Sequence, residues 1–153
     1  MTMAEVVAHV RKQALACEEL GSPLYAVLLD RLADDLEIGG PGAQLVAGHE
    51  GDPGPSALAL RLMGGVHRLV LQRRAPSLAM FYPSVGGCGA PDEAWPAFRG
   101  VQADHVVELR RRLDQAPQTN EVGRASALMG GLQHLASARP GPFGSSRSAP
   151  ARG

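Results

Sequence analysis

Arg61 and Arg68 stand seven residues apart, with Gly64 and Gly65 between them. On a helix this spacing stacks all four on one strip, with the arginine Cα atoms about 10 Å apart along the axis. Guanidinium groups fork onto carboxylates and phosphates, and glycines let a ligand or a second backbone approach closely. The strip reads either as an anion site or as two arginines paired to carboxylates of neighbouring helices, and the second is the commoner use. His67 lies in the apolar arc of the same segment, where a lone histidine is ordinarily a hydrogen-bonded core residue. Tyr82-Pro83-Ser84-Val85-Gly86-Gly87 is a tight glycine-rich turn. Ser84 as a nucleophile needs a partnered base, and the local sequence offers none. The amides of that turn could cradle an anion or simply reverse the chain. A third polar group is Gln118-Thr119-Asn120-Glu121, with Arg124 just beyond. Asn120 suits a helix N-cap, and Glu121 complements the positive helix end and can pair with Arg124. Read as function, the same side chains form a ligand-recognition edge.

Other chemistry is absent from the sequence. It contains no HExxH, P-loop, CxxC or GxSxG motif. His9, His49, His67, His105 and His134 lack metal-ligand spacing, so no metal site is expected. Cys17 and Cys88 give neither a disulfide framework nor a zinc pattern, and they read as two reduced, partly buried thiols. Fifteen Lys and Arg balance fifteen Asp and Glu. A neutral chain argues against nucleic acid or an anionic membrane surface as partner. The start, MTMAEVVAHVRKQ, has no apolar core of signal-peptide length. No run approaches the roughly 18 apolar residues of a membrane span. A cytoplasmic location is expected.

The elements that must position these residues read as helices throughout. Val6, Val7, Val10, Ala14 and Cys17 recur at helical spacing and end at Gly21. Ser22-Pro23 opens a second helix to about Glu37, with leucine at 24, 28, 32 and 36. Residues 39–55 are dense in breakers and read as loop. A third helix runs from near Ser56 to Arg74. Its apolar residues cover an arc of about 240°, so it should be central and nearly surrounded. A short helix through Leu78 and Met80, a brief piece around Trp95 and Phe98, a helix over 101–115 and a last one from Asn120 to Ser137 follow. Residues 139–153 (RPGPFGSSRSAPARG) read as a disordered tail. The expected organisation is an all-α domain over 1–138, about five helices around the third, and a tail over 139–153. LMGGVHRL and LMGGLQHL echo one another without forming a true repeat. Glycine pairs inside helices cost roughly 1 kcal/mol per glycine relative to alanine, so close backbone packing is expected at both.

Three segments carry a family resemblance: GSPLYAVLLDRLADDL, LRLMGGVHRLVLQRRAPSLAMFYPSVGG and QTNEVGRASALMGGL. From about Val6 to Pro142 the chain resembles the N-terminal half of a bacterial family of unknown function, DUF2332. In that family the chain continues into a strand-like stretch resembling VRLLEIGASAGLN, similar to the first motif of S-adenosylmethionine-dependent methyltransferases. The resemblance implies a helical N-terminal module that shapes a substrate pocket beside an α/β cofactor domain. Its implied polar lining is Tyr25, Arg61, Arg68, Tyr82, Gln118, Asn120, Glu121 and Arg124. No cofactor is expected in this chain itself, and S-adenosylmethionine is implied only for the full-length family.

The tail departs from the family pattern after Pro142. PFGSSRSAPARG can be encoded so that a second reading frame gives VRLLEIGASAGL, which points to a one-base loss near Pro142. On this reading the chain lacks a catalytic half, and its partner is the missing C-terminal α/β domain or another protein surface. The alternatives are a freestanding helical binding module, complete as it stands, and a non-functional truncated fragment.

Overall fold

The computed structural model describes residues 2–50 and 55–115, and all its regular elements are helical. They are α1 (Met3–Glu19), α2 (Pro23–Glu37), α3 (Pro41–Val46), α4 (Pro55–Leu71), α5 (Pro76–Ala79), α6 (Trp95–Asp104) and α7 (Val106–Asp114). Two 3₁₀ turns, Pro83–Val85 and Pro91–Glu93, lie between α5 and α6. The expected helix over 120–137 and the tail over 139–153 lie outside the described residues.

α1 begins with a capping box. The Thr2 hydroxyl accepts from the Glu5 amide, and the Glu5 carboxylate accepts from the Thr2 amide at 2.6 Å. Val6, Val7, Val10, Ala14 and Cys17 form its buried stripe. Gly21, at φ +79°, lets the chain reverse into Pro23 at the first turn of α2. The two helices pack along one another, and α2 buries Leu24, Leu28, Leu29, Leu32 and Leu36. Arg11 ties their outer edge by reaching Asp30, Asp34 and Glu37 at 2.8–3.2 Å. Exposed pairs of this kind add little stability.

The segment after α2 is not all loop, because α3 forms within it. The cause is Asp35, a buried carboxylate that accepts from the Gly42 amide in the first turn of α3 at 2.6 Å. A Cβ at Gly40 or Gly42 would collide with that carboxylate. The two glycines are therefore part of the cap, and periodicity alone does not show a cap supplied from the preceding helix.

α4 buries Leu58, Ala59, Leu62, Met63, Val66, Leu69 and Val70 and packs against α1, α5 and α7. The centre is shared with α2, whose Leu28, Leu29 and Ala33 are equally enclosed. α4 is also less surrounded than its composition suggests: Leu60 is half-buried and Leu71 is 55% exposed. The single helix expected over 101–115 is two. The chain breaks at His105, and Leu109 and Leu113 of α7 complete the core beside Phe98 and Val101 of α6. Of the cysteines, Cys17 is buried and Cys88 is exposed. Among the described residues no helix is long and apolar enough to cross a membrane.

Candidate functional site

Gly64 and Gly65 separate at the level of contacts. A Cβ on Gly65 would sit 3.1 Å from Leu109 Cδ2 and 3.4 Å from Arg112 Cδ, so this glycine is where α7 comes close. A Cβ on Gly64 would meet nothing within 4 Å, so the close packing expected there is absent among the described residues. At 100° per residue, Leu60, Gly64, His67, Arg68 and Leu71 occupy one arc of about 100°. None of the five is buried. α4 therefore has a closed face and an open strip, and polar clusters lie at both edges of the strip.

His67 marks the first edge. Its Nε2 lies 2.9 Å from Ser84 Oγ, and its ring stacks on Tyr82 with centroids 5.3 Å apart and planes at 22°. Tyr82 in turn meets Tyr25 of α2 edge-on at 6.1 Å. The turn that presents Ser84 is built by its sequence. Pro83 starts the 3₁₀ turn, and Gly86 ends it at φ +82°. Gly87 passes so close to the carbonyls of Ala79 and Met80 that a Cβ would collide with them. Ser84 is thus fixed by backbone geometry and still exposed.

Burial pushes the His67 imidazole below its ordinary value, so it is neutral at pH 7 and can accept the Ser84 hydroxyl proton. Burial pushes Tyr25 up to about 12 and raises Tyr82 well above the usual phenol value, with the neighbouring Tyr25 adding to the latter. Tyr82 is 2% exposed, and the polar neighbour of its hydroxyl is the Tyr25 hydroxyl. The base that the local sequence does not offer Ser84 is thus supplied by α4, seventeen residues upstream. Two parts of an acyl-transfer site are nonetheless missing among the described residues. No carboxylate orients His67, and the amides of Val85, Gly86 and Gly87 are spent on the carbonyls of Tyr82 and Pro83. The same three amides are therefore not free to cradle an anion at this turn.

Arg68 marks the second edge, and its sequence partner Arg61 is employed elsewhere. Arg61 donates to the carbonyls of Leu113 and Gln115 at the end of α7, which satisfies that helix terminus. Among the described residues the contacts of Arg61 are thus with the end of α7, and Arg68 takes no part in them. Arg68 instead faces a groove along α7 with Arg74, Arg111 and Arg112. Arg74 reaches there because Arg73 takes a left-handed turn at φ +59° and folds the chain back over the end of α4.

Of the sequence-predicted site residues, Tyr25 and Tyr82 come together, and His67 and Ser84 join them. Arg68 lies on the same strip of α4, and Arg61 is turned to α7. Gln118, Asn120, Glu121 and Arg124 lie outside the described residues. Among the described residues no group of three or more His, Cys, Asp or Glu is placed to hold a metal ion.

Residues 7–146 match a family described as an uncharacterized protein conserved in bacteria, DUF2332. The chain belongs to the DUF2332 family. No curated protein and no solved structure matches the chain. The resemblance drawn from the three sequence segments is thus borne out across nearly the whole chain.

Proposed function

We propose that this DUF2332 chain is the substrate-side helical module of a methyltransferase-like protein, completed by an α/β domain that binds S-adenosylmethionine. One observation carries the reading: the open strip of α4 has the His67–Ser84 pair at its edge, with His67 stacked on the enclosed Tyr82. A helix with apolar residues over most of its circumference leaves a strip uncovered where something else belongs. Tyr25, His67, Tyr82 and Ser84 would hold and orient a polar substrate. Arg68, Gln118, Asn120, Glu121 and Arg124 belong to the same proposed lining. The described residues contain no strand leading into a glycine-rich turn, so they offer no cradle for the cofactor, and the second domain would supply it.

Isothermal titration with S-adenosylmethionine tests this. The 153-residue chain should not bind, and a chain continued in the second reading frame downstream of Pro142 should bind saturably. Specific binding by the shorter chain, or a continued chain that ignores the cofactor, contradicts the reading.

A further inference from the structure

The groove between the end of α4 and α7 has a volume of about 620 Å³. Arg68, Arg74, Arg111 and Arg112 line it, together with Asp104 and Glu108. Among the described residues four guanidinium groups thus line the groove with two carboxylates, and Arg112 already has a partner of its own. One of the carboxylates is already engaged, since Arg74 grips Glu108 through two bonds of 2.9 and 2.7 Å. That fork holds the Glu108 carboxyl below its usual range. Arg68 and Arg111 are exposed, and neither is ion-paired among the described residues.

We propose that this groove binds a phosphorylated, hydroxyl-bearing small molecule, with Arg68 and Arg111 gripping the phosphate from two helices. Guanidinium forks match phosphate oxygens, which a point-charge ammonium does not. The first turn of α7, through Val106 and Val107, also lines the groove. The volume falls within the range of small-molecule sites, so there is room for an organic body beyond the phosphate. Asp104 repels a second anionic group and accepts from a ligand hydroxyl. Together these select a sugar-phosphate type of ligand over a bare polyanion. The neutral chain offers no extended basic stripe that would track a nucleic-acid backbone.

The inference is independent of the methyltransferase-like reading. A continued chain that ignores S-adenosylmethionine removes that reading and leaves this one intact.

Calorimetric titration with glucose 6-phosphate, inorganic phosphate and glucose at constant ionic strength tests it. Glucose 6-phosphate should saturate one site, inorganic phosphate should bind more weakly, and glucose should not bind. Arg68→Ala with Arg111→Ala should weaken glucose 6-phosphate by about tenfold or more, the loss expected for charge-assisted hydrogen bonds. Arg31→Ala, an exposed arginine of α2, should leave it unchanged. Both altered arginines are exposed, so the helical circular dichroism of the variant should match the parent. Absence of saturation overturns the proposal, as does equal binding of inorganic phosphate or an equal loss with Arg31→Ala.

Discussion

The two faces of α4 use the same sequence in opposite ways. On one face Leu58, Leu62, Val66 and Leu69 are enclosed, and Gly65 lets Leu109 of α7 come within 3.1 Å of where its Cβ would be. On the other, Gly64 meets nothing within 4 Å among the described residues, Leu71 is 55% exposed, and His67 and Arg68 stand at the two edges. The closed face is held by apolar burial and close helix approach, which leave no room for variation. The open face holds a neutral imidazole, and an exposed serine and an arginine groove lie at its edges. A helix that looks apolar all round has here a broad closed face and a narrower open strip.

The largest test of that division is a pair of truncations. Leu62→Ala should cost about 2–5 kcal/mol in urea denaturation, as expected for an enclosed leucine whose site cannot collapse. Leu71→Ala should stay within about 0.5 kcal/mol, as surface substitutions do. Comparable losses at both positions would mean that the strip is covered.

Much of this division is written in the sequence, and the unread parts have physical causes. The all-helical class follows from the 3.6-residue recurrence of Val6, Val10, Ala14 and Cys17, and of Leu24, Leu28 and Leu32. Breaker counting misses α3, because its cap comes from Asp35, a residue inside the preceding helix. Composition does not show the break at His105, because residues 101–115 contain no proline and no glycine. Periodicity puts Gly64 and Gly65 on neighbouring positions, and only the packing of α7 tells them apart. The meeting of His67 with Ser84 is a long-range event. One residue sits on a helix and the other in a turn seventeen residues later, and nothing local to either names the other. Arg61 is recognisable as an important arginine, but a helix C-terminus is an acceptor that no sequence pattern advertises.

A smaller effect sharpens the site edge. Burial holds the His67 imidazole below its unfolded value of about 6.5. The unfolded chain therefore takes up a proton first as pH falls. The contribution of His67 to stability should be fully present above about pH 6.5 and lost progressively towards the lower folded value. Urea midpoints at several pH values, for the parent and for His67→Gln, isolate this term, since the other histidines cancel. The parent should lose more stability than the variant on acidification. Parallel curves would place His67 in open solvent and detach it from Tyr82 and Ser84.

The two-faced character of α4 is tested most directly by measuring Gly64→Ala and Gly65→Leu side by side in one denaturation experiment. Gly64→Ala should stabilise the chain by about 1 kcal/mol, because a helical glycine with open space around it gains propensity at no steric cost. Gly65→Leu should destabilise it by about 1–3 kcal/mol, because Leu109 and Arg112 already occupy the space. Opposite signs at adjacent residues are the predicted result. A similar loss at both would show that Gly64 is packed as tightly as Gly65, and the open strip on which the proposed site rests would not exist.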